Sequence, residues 1–175
     1  MKKSNHKHII KLFEVFESAK QIHIVTEYAG GGDMLQFLKH KKRLDEWEAK
    51  NYLWQVVSGL AACHNNGILH RDIKLDNILM STDQKCIKLC DFGISRIMKP
   101  GQIVREQCGT PAYIAPEIIA GTGYEGFSSD TWSLGVMLYA MLAGTVPFKA
   151  NSMPDLHKVI LRGKFVMPDH FSADL

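Results

Sequence analysis

The four cysteines of this chain, Cys63, Cys86, Cys90 and Cys108, form no C-x-x-C pair and stand in apolar or mixed surroundings. That spacing excludes a disulfide-stapled secreted scaffold, and a reduced, intracellular, most simply cytoplasmic protein is expected. Long hydrophobic runs are also missing. The longest, around Leu134 to Ala143, falls short of a membrane span, so no membrane partner is expected. The start, MKKSNHKHII, is basic but leads into a broken apolar stretch and does not read as a signal peptide. Repeats and low-complexity segments are absent. Neither sign of charge dominates: 21 Lys and Arg face 18 Asp and Glu, a net +3. This is too mild for nucleic acid as the main ligand. The chain does contain 175 residues, 46% of them hydrophobic, enough for one domain with a real core or for part of a larger one.

Two runs, HIIKLFEVF and IHIVTEY, are separated by the polar Glu17 to Gln21, and their β-branched and aromatic content predicts a strand hairpin. Gly30-Gly31-Gly32 breaks the chain, and Asp33 can cap a short helix through Leu38. A long helix follows over 45–66. Asp45 and Glu48 are its capping pair, Leu53, Val56, Val57, Leu60 and Ala61 recur at helical spacing, and Gly67 stops it. Short strands at 78–80 and 86–89 flank a turn at Ser81-Thr82-Asp83. Residues 91–127 are rich in Gly, Pro and charge, a long loop of the kind kept for function. Residues 129–143 read as a helix apolar nearly all round, hence buried, and a last helix over 153–162 opens on Ser152 and Asp155.

Residues 70–77, HRDIKLDN, hold unusual polar density between apolar stretches. Fourteen residues after Asn77 comes Asp91-Phe92-Gly93, and further on Ala115-Pro116-Glu117. In this order and spacing the three motifs resemble the catalytic core of protein kinases. Phosphoryl transfer requires an acceptor hydroxyl held in line and a neutralised triphosphate, with little covalent work for the protein. The resemblance implies that Asp72 orients the hydroxyl, Lys74 balances charge on the γ-phosphate of ATP, and Asn77 and Asp91 are oxygen ligands of Mg²⁺. Lys74 and Thr110 resemble serine/threonine kinases, and the segments 27–33 and 107–113 look like the calcium/calmodulin-dependent and AMP-activated group. By the same resemblance Glu27 and Ala29 present backbone groups to adenine, Thr26 is a small gatekeeper, Leu79 packs under the ring and Asp33 lies at the nucleotide site. Leu12, His70 and Phe92 look like members of the hydrophobic spine. Asp33 and Asp76 match positions that read basic residues N-terminal to the acceptor of a protein substrate.

The implied activation segment includes Thr110 and Glu117, the partner of a missing arginine. Glu106 stands where related kinases carry a phosphorylatable threonine, with Arg71 and Arg96 as its basic pocket. The family's glycine-rich loop and strand lysine have no counterpart: no V-A-x-K occurs. The formal G-x-G-x-x-G at 121–126 lies after Ala-Pro-Glu with no lysine-bearing strand behind it, and is rejected. The expected fold is therefore α+β and protein kinase-like, mostly the helical C-lobe with two remnant N-lobe strands. Residues 1–28 would be those strands, 29–33 the hinge, and 34–175 a C-lobe incomplete at its end. The favoured reading is a fragment of an active serine/threonine kinase, since a binding module has no physical need for metal ligands; the alternatives are a pseudokinase acting as a binding module and a non-functional remnant.

Overall fold

The β-branched and aromatic runs near the start do pair. In the computed structural model, which describes residues 5–99, 101–173 and 175, β1 (Leu12–Glu17) and β2 (Ile22–Thr26) run antiparallel, with a bulge between Leu12 and Glu14. Residues 1–4 of the basic start, with Pro100 and Asp174, lie outside the described residues. Neither face of the hairpin is fully covered, since Phe13, Phe16, Ile22 and Ile24 are all exposed. Just before it, the chain runs parallel to a later strand segment. Leu89 N–H donates to the His8 carbonyl at 2.8 Å and Ile10 N–H to the Leu89 carbonyl at 2.9 Å, and this ties the hairpin to the helical body.

The expectation of just two remnant strands in the fold is overturned, since the described residues hold six. Of the four that follow, β4 (Ile78–Met80) and β5 (Ile87–Leu89) fall at the short strands read at 78–80 and 86–89, whereas β3 (Ile68–Leu69) and β6 (Arg96–Ile97) were not expected. The six strands make three separate antiparallel pairs, β1 with β2, β3 with β6 and β4 with β5. The β3–β6 ladder is two residues long, Ile68↔Ile97 and Leu69↔Arg96. A pair so short shows no period-two alternation, so nothing in sequence marks it as a strand.

Helices supply the rest. Asp33 caps α1 (Met34–Lys41) by accepting from Gln36 N–H at 2.8 Å, and the helix runs three residues beyond the expected Leu38. The capping box on α2 (Glu46–Asn65) is complete, with Asp45 accepting from Glu48 N–H and Glu48 from Asp45 N–H. The long segment 91–127 is not featureless. It carries β6, a 3-10 turn at Pro111–Tyr113 and α3 (Pro116–Ala120). α4 (Gly126–Ala143) starts three residues before the expected Ser129 and is buried along one side, not all round: Val136, Met137, Ala140, Met141 and Leu142 lie in the core beside Ile73, Ile78, Met80, Ile87 and Leu89, while Phe127, Thr131 and Gly135 are exposed. Gly144 in the left-handed region ends it, and Ser152 caps α5 (Met153–Arg162). Among the described residues no helix is long and apolar enough to cross a membrane.

Candidate active site

The segment from His70 to Asn77 leaves β3 and enters β4, so both ends are pinned by strands. Its backbone is held from below by a carboxylate that sequence reasoning did not assign a role. Asp130, near the start of α4 and 1% exposed, accepts from His70 N–H and Arg71 N–H, both at 2.9 Å, and contacts His64 Nε2 at 2.8 Å. His70 is fully buried; its Nε2 lies 3.0 Å from the Cys90 carbonyl and its ring meets Phe92 at 4.8 Å. Burial lowers the His70 pKa, against the pull of nearby Asp130 and the Cys90 carbonyl, so the ring stays neutral. Its Nδ1 can then accept from Asp72 N–H, 3.2 Å away. Arg71 and Asp91 both take positive φ, 72° and 59°. Non-glycine residues persist there only where their surroundings over-determine them, a form of strain that clusters at functional sites.

Asp72 is the hub. Its Oδ1 accepts from the Thr110 hydroxyl at 2.7 Å; its Oδ2 meets Lys74 Nζ at 2.8 Å and Asn77 Nδ2 at 2.9 Å. Lys74 Nζ also donates to Thr110 Oγ1 at 2.9 Å, which closes a three-residue ring. Burial alone would push the Asp72 carboxyl up, but the hydrogen bonds from Lys74, Thr110 and Asn77 outweigh it and hold the pKa below the ordinary carboxylate value. Asn77 is buried, and its amide nitrogen also donates to the Asp72 carbonyl at 2.8 Å. With that nitrogen committed, the amide's oxygen is the atom left for another ligand. Cys90 N–H donates to the Asn77 carbonyl at 3.0 Å, which brings the neighbouring Asp91 to the same end of the loop. One Asp91 oxygen accepts from Gly93 N–H at 3.1 Å. Burial, with Asp91 and Asp33 nearby, pushes the Cys90 thiol up to about 11, so it stays protonated and unreactive.

Beside Asp91 lies an open cavity of about 510 Å³, lined by Leu12, Ile24, Thr26, Leu79, Phe92 and others. Four residues singled out in sequence thus share one space with Asp91: Leu12, Thr26, Leu79 and Phe92. Glu27 stands at the end of β2 with its side chain occupied, 3.0 Å from Lys88 Nζ and accepting from Lys11 N–H at 2.7 Å. The glycine run 30–32 is stitched to β4 by Gly31 N–H on the Met80 carbonyl and Met80 N–H on the Gly32 carbonyl, with Ala29 half-buried just before it. Asp33 gives one oxygen to the α1 cap, and Asp76 is exposed.

Glu106 reaches both arginines. Arg96 contacts its two oxygens at 2.6 and 2.5 Å, and Arg71 lies 3.8 Å away while donating to the Ile94 carbonyl. Hydrogen bonding from its own backbone N–H, then from Arg96, lowers the Glu106 pKa. Glu117 stands apart from this cluster, within 3.3 Å of the Ser128 hydroxyl.

The loop thus presents an aspartate, a lysine and an asparagine together, next to an apolar cavity with a second aspartate at its rim. The chain belongs to the protein kinase domain family, which matches residues 1–173. It is 42% identical over 174 residues to serine/threonine-protein kinase SIK1 of Mus musculus, covering 99% of this chain and 22% of that protein. It is 41% identical over 176 residues to CBL-interacting serine/threonine-protein kinase 24 of Arabidopsis thaliana, covering 100% and 39%. To serine/threonine protein kinase OSK3 of Oryza sativa subsp. indica it is 42% identical over 168 residues, covering 96% and 33%. The chain thus spans less than two fifths of the length of these relatives, and its kinship lies with serine/threonine kinases.

Proposed function

We propose that this chain carries the transfer site of a serine/threonine protein kinase, which moves the γ-phosphoryl of ATP to a serine or threonine hydroxyl of a protein substrate. The observation that carries this reading is the Thr110 hydroxyl on Asp72 Oδ1 at 2.7 Å with Lys74 bridging the two. Asp72 is ionised, partly desolvated and already holds a hydroxyl, which is what orienting an acceptor requires. Lys74 balances charge on the transferred phosphoryl group. Asn77 and Asp91 offer hard oxygens suited to Mg²⁺, a cation that usually binds through one or two such ligands plus substrate phosphates and neutralises the latter. Adenine fits against Leu12 and Leu79 in the cavity, with Thr26 at its back and backbone groups of Glu27 and Ala29 along its edge.

In this reading residues 29–33 act as the hinge between the strands at 1–28 and the helical part at 34–175. Asp33 and Asp76 favour substrates with basic residues before the acceptor. Glu106 gives the segment that carries Thr110 a permanent charge for Arg96 and Arg71, in place of the about −1.5 to −2 of a phosphate. A module that only binds partners has no physical need of Asp72, Asn77 and Asp91 together, which favours the enzyme over a binding scaffold.

The test is phosphoryl transfer by these residues joined behind a segment bearing a glycine-rich loop and a strand lysine. Serine or threonine peptides are expected to be labelled and tyrosine peptides not, with Asp72→Asn slowing transfer by about 10²–10⁴-fold. Equal labelling of tyrosine peptides, or an unchanged rate for the variant, would overturn the reading.

A further inference from the structure

The glycine-rich run Gly121-Thr122-Gly123-Tyr124-Glu125-Gly126 spells a phosphate loop, yet among the described residues none of it lines the nucleotide cavity. It packs instead against the segment that carries Glu106. Val104 and Tyr124 exchange both backbone hydrogen bonds, at 2.9 and 3.0 Å. The Tyr124 hydroxyl donates to the Glu106 carbonyl at 3.1 Å. Its ring is 5% exposed, in a small core with Leu69, Val104, Ala115 and Ile118. Burial pushes the phenol up to about 12, so it remains a donor at any ordinary pH.

The glycines make this contact close. Gly123 has φ +95°, and a Cβ there would stand 2.7 Å from Ile103 Cγ2. A Cβ on Gly126 would stand 2.0 Å from Leu69 Cδ2, one residue before His70. The run therefore touches the activation segment on one side and the root of the catalytic loop on the other.

We propose that residues 121–126 are a latch for the activation segment, with Tyr124 as its positioning residue. The latch pins the backbone at Val104 and at the Glu106 carbonyl, which presents the Glu106 carboxylate to Arg96 and Arg71 beside Asp72. The inference rests on the reading of Glu106 given above and extends it. An exposed ion pair on a free loop is nearly cancelled by the entropy of holding two long side chains. Here buried hydrogen bonds at Tyr124 have already fixed the backbone on that side, so less freedom remains to be lost when the pair forms.

Limited trypsin digestion of the full 175-residue chain tests this. The Arg105–Glu106 bond lies inside the latched segment and is exposed, and the Lys149–Ala150 bond serves as the internal reference. Tyr124→Phe keeps the ring and removes the hydroxyl; Arg96→Gln breaks the ion pair without altering the scissile bond. Each is expected to speed cleavage at Arg105 relative to Lys149 by about two- to tenfold, the range one net hydrogen bond provides. Arg96→Gln is expected to add less than half of its own effect in the Tyr124→Phe background. Added NaCl is expected to speed cleavage at Arg105 in the parent chain and to act weakly in the Tyr124→Phe background. A tyrosine that merely stabilises the fold would leave both of those responses intact, and that result overturns the proposal. So does equal acceleration at Arg105 and Lys149. If Tyr124→Phe changes nothing while Arg96→Gln speeds cleavage, the latch fails and the Glu106 anchor stands. If neither variant changes the rate, the anchor fails as well.

Discussion

Replacing Asp130 should loosen the loop at residues 70–77 without touching Asp72, Lys74 or Asn77. Its carboxylate is 1% exposed and accepts from His70 N–H and Arg71 N–H, both at 2.9 Å, with His64 Nε2 at 2.8 Å. Asp130→Ala strands two backbone amides with no acceptor. Breaking one partner of such a buried charged cluster costs about 3–5 kcal/mol. For a chain of this size about 2–4 °C of Tm accompanies each kcal/mol, so the midpoint should fall by roughly 6–20 °C. Asp130→Asn preserves volume but replaces one acceptor oxygen with a donor facing an amide, and should lose much of the same stability with no cavity to blame. Differential scanning fluorimetry gives the midpoint, and hydrogen exchange reads the His70 and Arg71 amides directly. If the Ala form melts within about 1 °C of the parent, or those amides stay protected, Asp130 is not the support described here.

The pH response of Asp72 follows from its lowered pKa. A carboxyl depressed in the folded state contributes stability above its unfolded pKa, and that contribution is lost as pH falls through the folded value. Lys74→Met should move the Asp72 titration upward in a ¹³C carboxyl NMR experiment; an unmoved titration refutes the hydrogen-bond account. His70 works in the same direction by another route. The unfolded imidazole takes a proton near its ordinary pKa of about 6.5 while the buried one stays neutral, so stability should decline as pH drops below that value. Urea unfolding at pH 7.5 and 5.5 measures it, and a chain more stable at the lower pH contradicts it. Arg96→Gln should return the Glu106 carboxyl toward its ordinary pKa, visible in the same NMR titration. Purified residues 1–175, without a glycine-rich loop or strand lysine, should turn over far below the roughly 1–100 s⁻¹ of kinases; a rate inside that range disproves the need for those parts.

The clustering of His70, Asp72, Lys74 and Asn77 could be read from sequence because it is local: they lie within eight consecutive residues, and their spacing alone brings them together. The helix ends were equally plain at Asp45, Gly144 and Ser152, where capping chemistry is written in one or two residues. Asp130 was given no part, because its partners are 59 and 60 residues away and a carboxylate opening an apolar helix carries no local sign of what it holds. The β3–β6 pair was missed because two residues per strand leave no period to detect. Tyr124 was hidden inside a glycine pattern whose familiar meaning had to be rejected before its packing role could be considered. Glu117 was expected to lack its arginine, and among the described residues it meets the Ser128 hydroxyl at 3.3 Å.

The most direct test of the central claim is the dependence of ATP binding on Mg²⁺ in the 175-residue chain itself, followed by calorimetry or ligand-observed NMR. Nucleotide is expected to bind weakly, and more tightly with Mg²⁺ present. Asp91→Asn and Asn77→Ala should remove that gain, and Asp72→Asn should preserve it, since Asp72 is assigned to the acceptor hydroxyl. Binding that is indifferent to Mg²⁺, or a gain that survives in Asp91→Asn, would contradict the account.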